Sequence, residues 1–140
     1  MPPNGPWNEV PPVFVDITMS TLTLTADTFE KTLDEGGITL IDWWASWCGP
    51  CRMFAPIFEQ ASEQHDDITF AKIDTEDQQA LSAAVGITSI PTLMAFRDGI
   101  LVFQQAGALP APALEQVIEA VRGLDMDDVR QKVAEQQAQQ

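Results

Sequence analysis

The sequence predicts an α/β sandwich, with a mixed central β-sheet and helices on both faces. Three observations predict it. Strand-like and helix-like apolar periods take turns along the chain in the order β-α-β-α-β-α-β-β-α. The stretch ITLIDWWA, residues 38 to 45, is nearly continuously apolar and β-prone, which marks a strand covered on both faces. Asp98-Gly99 separates two apolar runs, and that dipeptide favours the positive φ of a tight hairpin. Alternating units pair in parallel through right-handed crossovers, and the closing hairpin adds antiparallel strands.

Taken in order, TLTLT (21–25) alternates as a short strand, and Ala26 to Leu33 reads as a helix with Phe29 and Leu33 four apart, ended by Gly36-Gly37. The strand 38–45 follows. After the cysteines comes a helix whose apolar stripe is Phe54, Ile57, Phe58 and Ala61. Pro56 lacks a donor and crowds the preceding turn, so a kink is expected there. ITFAKID (68–74) is a third strand, and a short helix over 78–85 leads to Gly86. TLMAF (92–96) and ILVFQQA (100–106) form the hairpin. The last core helix carries Leu114, Val117, Ile118 and Val121 and closes at Gly123. The polar, glutamine-rich segment 125–140 is predicted to form one more helix, capped near Asp127 and frayed at its end.

Residues 1–20 hold five of the ten prolines, Pro2, Pro3, Pro6, Pro11 and Pro12, and are read as an extended arm preceding a domain over 21–124. Deleting residues 1 to 18 is expected to leave the melting midpoint and the turnover unchanged. A large drop in either would show that the arm packs on the domain or shields its site.

The chain's 140 residues suit one domain with a real core, and the hydrophobic share of 45% is ordinary for a globular protein. Its formal charge of -14 repels phosphate backbones and anionic bilayers, which argues against nucleic-acid and membrane partners. No apolar run approaches the roughly 20 residues that span a bilayer. The N-terminus has no basic residue before Glu9 and no uninterrupted apolar core, so it does not read as a signal peptide. The expected compartment is the cytoplasm, where thiols stay reduced and a permanent structural disulfide is out of place.

That frames the two cysteines, Cys48 and Cys51, in WASWCGPCRM. A structural zinc site needs a full tetrahedral set of ligands, and the chain offers only these two sulfurs and His65. His65 reads instead as a solvated residue at a helix end. A staple across two residues closes too small a loop to restrict the unfolded chain. Redox exchange fits better. The pair lies where a buried strand gives way to a helix, whose N-terminus presents unpaired N–H groups and partial positive charge. A thiolate at the first helical position, assigned to Cys48, is stabilised there. Cys51, one turn further in, should be more enclosed, and Pro50 falls in the first turn, where its missing donor costs little.

WCGPC after IDWWAS, with SIPTLMAFRDG and AGAL downstream, resembles the thioredoxin family, over about residues 21 to 124. CGPC, an isoleucine-proline-threonine and a final glycine in this order form a specific combination. The resemblance implies a thioredoxin-like three-layer sandwich and a general protein-disulfide reductase. Cys48 would be the nucleophile and Cys51 the resolving thiol, with Gly49 and Pro50 tuning the pair. No cofactor would be bound; electrons would come from NADPH through a flavoprotein thioredoxin reductase, and the partners would be that reductase and disulfide-containing targets of a monomer. Asp42 interrupts the apolar strand six residues before Cys48. It is either an edge residue facing water or, as the resemblance implies, a buried proton acceptor for Cys51. Lys72, inside FAKID, matches the family lysine near that aspartate; a surface lysine at the sheet end is the competing reading. Pro91 matches a proline that the family holds cis beside the cysteines, leaving the Ile90 backbone free to pair with a substrate strand. Gly107 matches the glycine of the substrate groove, or is a plain turn. Trp47 is expected to be exposed for docking, and Trp43 and Trp44 to be core. Trp43 stands where many relatives have phenylalanine, and Arg52 where many have lysine. The rival readings are an oxidant or isomerase on the same fold, which a histidine in place of Pro50 would favour, and a non-enzymatic binding module.

Overall fold

The computed structural model describes residues 20–139. The expected arm, apart from Ser20, lies outside them. Ten elements follow in order: β1 (Leu22–Thr23), α1 (Ala26–Asp34), β2 (Ile38–Trp44), α2 (Gly49–Gln64), β3 (Ile68–Asp74), α3 (Gln79–Ala84), β4 (Thr92–Arg97), β5 (Ile100–Ala106), α4 (Ala111–Arg122) and α5 (Met126–Ala138). The sheet order is β1-β3-β2-β4-β5. β3 runs parallel to both β1 and β2, while β4 is antiparallel to β2 and β5 to β4. This is the mixed sheet the periodicities predict. The hairpin turns at Asp98 (φ 53) and Gly99 (φ 82), the left-handed pair expected of Asp-Gly.

Period-2 alternation along β2 sorts the two cores. Leu40 joins Phe70, Leu93 and Ala95 under α2 and α4, which contribute Phe54, Phe58, Leu114 and Ile118. Ile41 and Trp43 point the other way, to Phe29 and Leu33 of α1, with Leu81 of α3 packed alongside. Both faces of β2 are therefore covered, as its nearly continuous apolar run requires. Helix α2 is continuous through Pro56.

Several local expectations are corrected. TLTLT keeps strand geometry only at Leu22–Thr23, because its sole partner is the Ala71–Lys72 stretch of β3. The final helix is capped near Asp127 as expected, by Asp125, whose carboxylate accepts the N–H groups of Asp127 and Asp128. His65 is not solvated. It is stacked on Phe70, with Nε2 2.9 Å from Glu115 and Nδ1 2.8 Å from Arg122, whose guanidinium also holds Asp67.

Arg97 closes the far end of the fold. Its Nη1 donates to the carbonyls of Val121 (2.9 Å), Arg122 (3.1 Å) and Leu124 (3.0 Å), in and just beyond the last turn of α4, where the helix presents partial negative charge. Arg97→Met is expected to lower stability by about 2 kcal/mol, the order of a charged hydrogen-bond set, and to leave turnover unchanged. Urea midpoints and turnover measured side by side check this.

Candidate active site

Strand β2 delivers the site. It ends at Trp44, buried Ala45 follows, and the chain then turns into α2. Cys48 and Cys51 are joined as a disulfide, with Cα atoms 5.2 Å apart. Cys48 is the N-cap of α2 rather than its first helical residue, and its Sγ accepts the Cys51 N–H at 3.2 Å. The correction leaves the electrostatic argument intact, because the sulfur itself takes one of the orphan donors at the helix terminus. Cys48 and Cys51 are buried alike, at 4% and 3% exposure, so the expected difference in enclosure is not seen in the disulfide form. Gly49 and Pro50 fill the first helical positions, where the imide nitrogen leaves no donor unsatisfied.

The loop before β4 closes over the sulfurs. Its Ile90–Pro91 bond is cis, and the Ile90 carbonyl oxygen lies 3.7 Å from Cys48 Sγ. Gly107, at φ 100, donates its N–H to the Pro91 carbonyl at 2.8 Å. A side chain would be strained at that φ, so glycine lets the chain take the conformation in which this hydrogen bond ties the strand end to the proline loop. Trp47 is 65% exposed and shares a groove with Ile90, lined by the hydroxyls of Thr75, Thr88 and Ser89. The Arg52 guanidinium donates to the Ser46 carbonyl at 2.8 Å and pins the loop that carries Trp47. Trp43 is fully buried, but Trp44 is only half-buried and is not core: Lys72 Nζ sits 5.1 Å over its ring.

Asp42 lies beneath, on the α2 face of β2. It is fully buried, and both carboxylate oxygens lack a hydrogen-bond partner among the described residues. Burial pushes its pKa up to about 7; Lys72 pulls it down and Glu59 pushes it up. The edge-strand alternative is therefore overturned. Lys72 is the cross-strand partner of Asp42 in the β2–β3 register, on the same face. Cys48, Cys51, Trp47, Ile90, Pro91 and Gly107 thus meet at one end of the sheet, with Asp42 and Lys72 on the strands below. The sequence reading missed Glu59, a half-buried α2 carboxylate whose only signal was its helix position, two turns beyond Cys51.

Such a site can shuttle two electrons between its own sulfurs and another disulfide. The thioredoxin family model matches residues 20–120. The chain belongs to the thioredoxin family. It is similar to a putative thioredoxin 2 of Streptomyces coelicolor, 53% identical over 120 residues that cover 86% of this chain and 90% of that one. It is also similar to a thioredoxin of Alicyclobacillus acidocaldarius, 41% identical over 97 residues, 69% of this chain and 92% of that one. Among solved structures, a mutant thioredoxin from Halobacterium salinarum superposes with a TM-score of 0.69 at 36% identity, over 75% of this chain and 93% of that one. The chain is a thiol–disulfide oxidoreductase, a protein-disulfide reductase working through Cys48 and Cys51. No described helix is long and apolar enough to cross a membrane.

Proposed function

We propose that this protein reduces the disulfides of other proteins in the cytoplasm and is itself re-reduced by NADPH through a flavoprotein thioredoxin reductase. The observation that carries the reading is the Cys48–Cys51 disulfide at the N-terminus of α2, directly under the Ile90 carbonyl. In the dithiol form, the Cys48 thiolate attacks one sulfur of a target disulfide. A mixed disulfide forms, and the other target sulfur leaves as a thiolate. Cys51 then gives its proton to the Asp42 carboxylate and attacks Cys48 Sγ. The Cys48–Cys51 bond closes, the second target thiolate leaves, and two electrons have passed to the target. An acceptor whose pKa is about 7 is partly ionised at neutral pH, the state this step needs.

Trp47 offers an apolar docking face, Ile90 a strand edge for an extended target segment, and Gly107 a flank without a side chain. Lys72 moderates Asp42, and Gly49 and Pro50 set the spacing of the sulfurs. The cytoplasm suits this chemistry, since it is a compartment that keeps a dithiol donor reduced. Insulin reduction driven by NADPH and a thioredoxin reductase tests the whole cycle. NADPH consumption with precipitation of the insulin B chain is expected. Reduction with dithiothreitol but none with NADPH and the reductase would refute the proposed electron donor.

A further inference from the structure

The polar groups under α2 form a row that crosses the sheet. Thr23 of β1 is in register with Lys72 of β3, which is in register with Asp42 of β2, and the row ends at Leu93 of β4. Residues in register share a face, so Thr23, Lys72 and Asp42 all face the α2 side. Over the β1 end of this row stands Glu59 of α2. It accepts a 2.8 Å hydrogen bond from Thr21 Oγ1, across 38 residues of sequence. From the sheet edge inward the order is Glu59 with Thr21, then Lys72, then Asp42. Among the described residues Lys72 is in direct ion-pair contact with neither carboxylate. Asp42 thus feels one ammonium and one further carboxylate, with Glu59 half-buried and Asp42 itself fully buried.

We propose that Glu59, pinned by Thr21, is a positioning residue that sets the pH range in which Asp42 takes up the Cys51 proton. This rests on the reading of Asp42 as the proton acceptor. A negative charge on α2 makes a second negative charge at Asp42 harder to form. The charged groups that act on Asp42 are Lys72 from β3 and Glu59 from α2, while β4 opposes it with apolar Leu93. Glu59 therefore holds Asp42 protonated to higher pH than burial and Lys72 alone would, which delays the acceptor state.

Glu59→Gln isolates the charge, because the amide oxygen still accepts the Thr21 hydroxyl. Glu59→Asp retains the charge. The Asp42 titration is read from the carboxyl carbon in NMR spectra of the oxidised protein, with Asp42→Asn identifying the signal. Its midpoint is expected to fall by roughly half a pH unit in Glu59→Gln, the order for a partly solvated charge one element away, and to stay near the parent value in Glu59→Asp. The acid limb of the single-turnover rate on a chromogenic disulfide should move to lower pH by the same amount. An unchanged Asp42 midpoint in Glu59→Gln overturns the proposal. A midpoint that moves while the acid limb stays, and stays also in Asp42→Asn, overturns the acceptor reading on which it rests.

Discussion

Replacing Cys48 by serine is expected to abolish disulfide reduction, and replacing Cys51 by serine to leave a protein that attacks once and stays attached to its target. The two sulfurs are equally buried in the disulfide form, so exposure does not rank them. Their positions do. Cys48 caps α2, and its Sγ takes the Cys51 N–H, so negative charge on this sulfur is met by a donor and by the helix terminus. It also follows exposed Trp47 and lies against the Ile90 carbonyl, where an incoming strand would place its sulfur. Cys51 sits inside the first turn of α2, bonded to Cys48. A Cys51→Ser protein lacks the group that breaks the mixed disulfide, so the adduct accumulates until an outside thiol releases it. Intact-protein mass spectrometry after incubation with a disulfide substrate should show one target mass added in Cys51→Ser and none in Cys48→Ser. An adduct through Cys51 in the Cys48→Ser protein would reverse the order of attack.

Local, periodic information was legible in the sequence. The nearly continuous apolar run of β2 gave its burial on both faces, Asp98-Gly99 gave the hairpin, and the lone carboxylate in that run pointed to a buried acid. The errors arose where partners are far apart along the chain. His65 is held by Glu115 and Arg122, 50 and 57 residues away, so no pattern around it foretold its enclosure. Arg97 finds its carbonyls only because α4 returns beside β4. Glu59 looks like any polar helix residue until Thr21 is brought to it by β1 pairing with β3. A smaller slip came from competing local chemistry. Cys48 became the cap of α2 because its sulfur could accept one.

Asp42→Asn should raise the stability of the protein and slow its chemistry, and both effects should depend on pH. The folded-state pKa of Asp42 is about 7, against 3.8 for an ordinary aspartate, and burial is the main cause. The folded state thus holds a proton that the unfolded chain releases. Below about pH 4 both states are protonated and Asp42 costs nothing extra. As pH rises toward 7 the unfolded state gains by ionising, and the folded state loses about 4 kcal/mol relative to it. Above 7 the loss is constant. Asparagine removes the ionisation but leaves an amide without partners, so a gain of about 2 kcal/mol is expected at pH 8 and none at pH 4. Urea midpoints at the two pH values read this directly. The same substitution removes the acceptor for the Cys51 proton. General-base assistance is worth about 10²–10⁴-fold, and a thiol needs less help than most acids, so resolution at neutral pH should slow by at most about 100-fold. The slowing should shrink below pH 6, where Asp42 is already protonated and the parent protein has lost the same base. Opposite signs in stability and rate, both fading as pH falls, are what a buried proton acceptor requires. A loss of stability at pH 8 with an unchanged rate would make Asp42 a structural residue and leave Cys51 to give its proton to solvent.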